Sequence, residues 1–205
     1  VSSTHPPYRA QYADRDRIGE FLDHPERLSS DAHHAAFGFA SADDYARWAP
    51  RLCGIACLAM VLERYGLAAQ RTIADLTAEA AANGAYGLAG WAYAPLLDYA
   101  RTLGLAGELR APYPFEQLTA DLQAGRHPIV SVHPRVMRGE LAEPPAGERG
   151  GHLVLVVGLG GTPSDRSVLV HNPNARTRAT QEAYPAPHAQ FAAAFAGRGL
   201  VLWRD

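Results

Sequence analysis

Residues 51–62 read Arg51-Leu52-Cys53-Gly54-Ile55-Ala56-Cys57-Leu58-Ala59-Met60-Val61-Leu62, and the rest of the chain is understood from them outward. A loop carrying Pro50 ends at a cysteine, and an apolar run closed by Gly66 follows. Charge appears only at Glu63 and Arg64, so the run is apolar almost all the way round. A helix of that composition is a buried one. Cys53 is then expected in its first turn, where unpaired backbone N–H groups and the helix dipole stabilise an anion. A cysteine placed there is expected to have its pKa lowered toward the reactive range.

The 205 residues fit one domain with a full core, and 47% hydrophobic with 20% charged residues is globular composition. A net charge of -2 gives no electrostatic attraction to nucleic acid or to an anionic membrane. All 19 basic residues are Arg, which suggests a GC-rich genome rather than a functional choice. No apolar run approaches the roughly 20 residues that span a bilayer. Val1 to Pro7 resembles neither a secretory signal nor a transit peptide. Two cysteines spaced i, i+4 on one helix make a poor disulfide pair, so a reducing, cytoplasmic location is expected.

Upstream, residues 1–50 read as an N-terminal extension rich in loops. A short helix is expected around Asp16 to Leu22, broken by His24-Pro25. Ser41-Ala42-Asp43-Asp44 has the form of a capping box for a helix through Tyr45 and Trp48. Residues 51–125 form a helical part. After the Cys53 helix, Thr72 to Ala82, Pro95 to Leu103 and Pro114 to Gln123 are helical by pattern, each followed within two residues by Gly. Residues 126–205 are mainly β. Strands are expected at 128–133, 152–158, 167–172 and 200–203, with a helix from His188 to Phe195. Leu159 to Asp165 is hairpin-loop chemistry, and Pro134 to Gly151 is a long irregular stretch. Helices followed by antiparallel strands argue for an α+β fold.

Nucleophilic catalysis by cysteine needs a base within reach and a third group that holds the base in the right tautomer. His152 opens one strand and Asn172 closes the next. If the two strands pair as a hairpin, these side chains can touch. Each histidine taken alone reads as a structural residue, and His133 and His171 are assigned hydrogen bonding or loop anchoring. Cys57 reads as a core thiol. No Cys-x-x-Cys or His-Glu-x-x-His pattern is present, so neither a metal nor a cofactor is expected. Arg135, Arg138 and Arg149 could meet an acidic substrate, although a solvated loop would read the same way.

Three blocks together resemble one family. Cys-Gly-x-Ala-Cys-Leu-x-Met-x-Leu at 53–62 is similar to the nucleophile helix of the bacteriocin-leader (double-glycine) peptidase-like family, a branch of the papain-like cysteine peptidases. Gly-Gly-His-Leu-Val-Leu-Val-Val-Gly at 150–158 resembles its histidine strand, and Val-His-Asn-Pro at 170–173 its third-residue motif. The resemblance implies a papain-like fold, with Cys53 as nucleophile, His152 as general base and acid, and Asn172 orienting His152. Asn stands where that family usually has Asp, as it does in papain. The family's oxyanion glutamine commonly lies six residues before the cysteine, a position held here by Arg47. Pro7-Tyr8-Arg9-Ala10-Gln11 is similar to the upstream version, which gives Gln11 the oxyanion role beside the Cys53 N–H, with Arg47 and Trp48 in reserve. A solvated Gln11 in a loose arm would have the same sequence.

The expected reaction is thiol-dependent acyl transfer, foremost peptide or amide hydrolysis through a thioester. The same residues could pass the acyl group to an amine or carbanion, as an acyltransferase or cyclase of specialised metabolism. A catalytically silent binding domain is the alternative from another class. The expected partner is a peptide, or an acyl thioester on a carrier protein, for a stand-alone member without a transporter.

Overall fold

The computed structural model describes residues 5–68, 70–162 and 165–204. In chain order its elements are α1 (Ile18–Asp23), α2 (Ala42–Trp48), α3 (Cys53–Arg64), α4 (Ile73–Ala82), β1 (Tyr86–Gly87), β2 (Gly90–Trp91), α5 (Tyr93–Thr102), β3 (Ala106–Arg110) and α6 (Phe115–Gln123). There follow β4 (His127–Val132), α7 (Pro134–Met137), β5 (His152–Thr162), β6 (Asp165–His171), α8 (Arg178–Gln181), β7 (Tyr184–Pro187), α9 (His188–Ala194) and β8 (Phe195–Trp203). Short 3₁₀ turns at Pro25–Ser30, Ala32–Phe37 and Ala49–Arg51 connect the first helices. The fold is α+β, as the order of helices and strands predicts.

The helix at residue 53 is the element most firmly dictated by sequence. Every residue from Gly54 to Leu62 is buried. Around it gather Leu76 and Ala80 of α4, Leu96, Leu97 and Tyr99 of α5, and Ile129, Leu155, Leu200 and Leu202 from the sheet. A helix surrounded on all sides can carry no polar face, which is why its charges begin only at Glu63. The next helices start where their caps predict. The Thr72 hydroxyl accepts from the Asp75 N–H while the Asp75 carboxylate accepts from the Thr72 N–H, a complete capping box. At α2 only half of the box forms: Ser41 Oγ accepts from the Asp44 N–H at 3.1 Å.

The main sheet has six strands in the order β3-β8-β4-β5-β6-β7, all antiparallel, and its strand order is not sequential. One face packs on α3; the other is covered by α6, α7 and α9 through Tyr113, Leu118, Val136, Met137 and Phe191. The β5–β6 hairpin expected from sequence is present, pairing Thr162 with Asp165 and Leu155 with His171. Two residues of its turn, Pro163 and Ser164, lie outside the described residues, as do Val1 to Thr4 of the N-terminal segment.

Several expectations differ from the structure. Strand β3 interrupts the stretch expected to be helical, and β7 and the small β1–β2 hairpin have no counterpart in the sequence reading. The last helix ends at Ala194, because Phe195 already belongs to β8 and pairs with Val132. The long stretch after Pro134 begins with a helical turn, Pro134–Met137.

Buried ionic contacts fasten the β3–α6 corner. Asp121 is 1% exposed; its carboxylate accepts from Tyr113 Oη at 2.9 Å, Arg126 Nη1 at 3.0 Å and Arg110 Nε at 3.3 Å. Desolvation alone would raise its pKa, but these donors leave it below the ordinary carboxylate value. Removing one member of such a cluster strands the others without a partner. Asp121→Ala should therefore cost about 3 kcal/mol in urea unfolding, and a loss below about 1 kcal/mol would contradict this account.

Candidate functional site

The site forms where the first turn of α3 meets the start of β5. No side chain caps the N-terminus of α3, so its first N–H groups are available to other acceptors. The backbone N–H groups of Cys53, Gly54 and Leu153 are directed at the Cys53 sulfur and favour its thiolate. Gly54 permits the close packing at this point. A Cβ there would stand 2.8 Å from the Trp91 ring and 3.2 Å from Leu153 Cδ1. Trp91 is itself pinned by its indole N–H, which donates to the Arg51 carbonyl at 2.6 Å.

His152 follows two glycines. Gly150 has φ +83°, a conformation that side chains disfavour, and a Cβ would lie 2.4 Å from Ser131 Oγ. That turn delivers His152 to a buried position, 3% exposed. His152 Nε2 lies 2.9 Å from Asn172 Oδ1. The same Oδ1 accepts the Asn174 N–H at 3.3 Å. A backbone N–H needs an acceptor, so the atom facing His152 is the amide oxygen and Nε2 must carry the proton. The basic lone pair then belongs to Nδ1. Asn172 is held in turn by the backbone: its N–H donates to Gln181 O at 2.8 Å, and its carbonyl accepts from Tyr8 Oη at 3.0 Å.

Cys53 and His152 share the wall of one cleft of about 380 Å³, with Pro50, Arg51, Tyr86, Trp91, Tyr93, Ser131 and Arg198 among its other lining residues. Gln11 does not line it. It is buried at 2% exposure, with its backbone N–H on Pro173 O at 3.0 Å and its Nε2 on Ala49 O at 3.2 Å. It thus bridges the loop after Asn172 to the turn before Cys53, and its Oε1 is buried without a partner. The segment is docked, so the alternative of a solvated Gln11 in a loose arm does not hold. Arg47 is exposed and pairs with Asp44 at 2.5 Å. Trp48 packs with Tyr86 and Trp91, ring centres 5.1 and 6.4 Å apart.

The sequence reading needs one correction. Cys53 was expected to have a lowered pKa, but burial pushes the thiol above its ordinary value, and the backbone N–H groups offset this only in part. Burial also lowers His152 to about 4; Asn172 opposes the shift and the Arg138 cation adds to it. Both shifts favour the neutral thiol–imidazole pair over the ion pair. The structural readings of the other groups agree with the structure. Cys57 is fully buried and donates to Leu153 O at 3.6 Å. His133 accepts the Val136 N–H at 3.4 Å and meets Glu148 at 3.3 Å. His171 anchors the N-terminal segment through Pro6 O at 2.8 Å. Arg135 and Arg138 are occupied by Glu140. Among the described residues no group of three potential metal ligands is found, and no helix is long and apolar enough to cross a membrane. Trp91, Tyr86, Ser131 and Arg198 were not singled out by sequence. The Gly-rich spacing of Tyr86 to Trp91 was the available signal for the first two.

A helix-borne cysteine sharing a cleft with a strand-borne histidine that bonds an asparagine, on an α+β frame of this kind, fits the papain-like cysteine peptidase class. The model of the Peptidase_C39 like family matches residues 40–200, and the chain belongs to that family. Three solved structures are similar to the chain. One is a double glycine motif protease from an AMS/PCAT transporter in complex with the leader peptide, 19% identical over 75% of this chain and 84% of that one, with a TM-score of 0.51. The peptidase domain of Streptococcus ComA is 18% identical, covering 76% and 93%, with a TM-score of 0.48. A C39-like peptidase from Bacillus anthracis is 13% identical, covering 76% and 90%, also at 0.48. No curated protein matches the chain.

The neutral histidines make a stability prediction. His127 is also lowered to about 4, mainly by burial, and His171 is lowered too. Free imidazole titrates near 6.5, so in acid the unfolded chain takes up these protons first. The stabilising contribution of His152 and His127 is complete above about pH 6.5 and is lost as pH falls toward 4, each of these two adding a slope of about 1.4 kcal/mol per pH unit, and His171 acts in the same direction. Urea midpoints should fall between pH 6.5 and 5, before the carboxylates titrate; a flat profile there would contradict the buried neutral state.

Proposed function

We propose that this peptidase hydrolyses a peptide or amide bond through a thioester on Cys53, with His152 as base and acid, Asn172 as the group orienting His152, and Gln11 with the Cys53 N–H as oxyanion donors. The observation that carries the reading is the His152–Asn172 bond at 2.9 Å beside a cysteine in the same cleft. As substrate binds, His152 Nδ1 takes the thiol proton and the sulfur attacks the carbonyl carbon. The oxygen becomes an oxyanion that N–H donors stabilise. The imidazolium then returns its proton to the departing amine, the C–N bond breaks, and a thioester remains. Water, losing a proton to His152, releases the carboxylic acid and restores the thiol.

The resting thiol–imidazole pair supports general-base activation over a standing thiolate–imidazolium pair. The role of Gln11 rests on the resemblance of Pro7-Tyr8-Arg9-Ala10-Gln11, since its amide is bonded to Ala49 O and does not line the cleft. Both cysteines are free thiols, which is consistent with work in a reducing compartment.

Digestion of a defined peptide mixture, read by mass spectrometry, tests the assignment. Cleavage should vanish in Cys53→Ala and His152→Ala. Asn172→Ala should lower activity by up to about 10⁴-fold through loss of the tautomer. Gln11→Ala should lower kcat by about 10²-fold. New termini that persist in Cys53→Ala would overturn the reading.

A further inference from the structure

The cleft carries charge that the proposed hydrolysis leaves unused. Arg51 lines it on the Cys53 side and Arg198 on the His152 side, and no Asp or Glu is among its lining residues. Arg47 is paired with Asp44, and Arg138 and Arg176 with Glu140. Among the described residues, Arg51 and Arg198 bond backbone carbonyls and no carboxylate. Arg51 gives one N–H to the Arg47 carbonyl, and Arg198 gives one to the Arg149 carbonyl at 3.2 Å. A guanidinium has five N–H donors, so each retains most of its capacity.

Arg198 is exposed at the edge of the cleft, beside the turn that leads into His152. It projects from β8 beside Gly150, where an added Cβ would stand 3.0 Å from its Nη2 and 2.4 Å from Ser131 Oγ. Gly150 thus lets a guanidinium and a hydroxyl sit together at the turn that leads into His152. Tyr86 and Trp91, with ring centres 5.0 Å apart, supply apolar surface to the same cleft. Apolar walls strengthen a charge–charge contact, and the planar guanidinium fork matches a carboxylate.

We propose that the cleft selects a substrate with a carboxylate close to the bond cleaved, bound by Arg198 with Ser131 and supported by Arg51. The proposal rests on Cys53 as nucleophile and gives the substrate class of that site: an acidic side chain, or a chain-terminal carboxylate.

The first probe compares iodoacetate with neutral iodoacetamide at Cys53, read by peptide mass spectrometry. The iodoacetate-to-iodoacetamide rate ratio should fall about two- to five-fold in Arg198→Gln, further in the variant that also carries Arg51→Gln, and with added salt in the wild type. A ratio unchanged by both substitutions would overturn the proposal. This readout needs only a thiol that alkylates, so it stands apart from failure of peptide cleavage. Protection from iodoacetamide separates the two sources of carboxylate. Acetyl-glutamyl amide protecting better than acetyl-glutaminyl amide supports a side-chain carboxylate. Acetyl-glycyl-glycine protecting better than its amide supports a terminal one. Equal protection by acids and amides in both pairs would contradict any carboxylate recognition.

Discussion

The bond from His152 to Asn172 is the constraint on which the site depends, and the sheet is arranged to make it. Near its turn the β5–β6 hairpin runs in one register, from Thr162 with Asp165 to Gly158 with Leu169. It then slips by one residue, and Val156 pairs with Val170. A slip of one reverses which face every later side chain of that strand occupies. The bulge therefore determines that His152 points where it does, with Asn172 diagonally across. The Gln181 carbonyl, the Tyr8 hydroxyl and the Asn174 N–H fix Asn172 in place.

The same constraint explains why the N-terminal segment is folded onto the domain. Tyr8 and Gln11 both bond the loop at Asn172–Pro173, and Gln11 also bonds the turn that leads into Cys53. The segment thus joins the two halves of the site, the helix carrying the cysteine and the strands carrying the histidine and asparagine. Its cost is visible in the unpartnered Gln11 Oε1. A buried acceptor left unsatisfied destabilises by about 1–3 kcal/mol.

Much of this was legible in the sequence, for identifiable reasons. Residues 53–62 are apolar on every side, a pattern that only a central helix satisfies. The glycine pair before His152 and the β-branched runs at 152–157 and 168–170 mark a hairpin. Strands β3 and β7 were not legible, because Ala106-Gly107-Glu108-Leu109-Arg110 and Tyr184-Pro185-Ala186-Pro187 have little strand preference of their own. They are strands because β8 and β6 pair with them. The pKa direction of Cys53 was hidden for a similar reason. A helix N-terminus can be read from sequence, but the desolvation that outweighs it comes from the core cluster on which Cys53 packs, much of it distant in the chain.

The central claim is that His152 is neutral at rest and carries its proton on Nε2, toward Asn172. Imidazole ¹⁵N spectra of histidine-labelled protein at pH 7, with His152→Ala for assignment, test it directly. The account predicts a protonated Nε2 and an unprotonated Nδ1 for His152, titrating at about 4, and a mixture of tautomers in Asn172→Ala. A proton on Nδ1, or an imidazolium at pH 7, would contradict it.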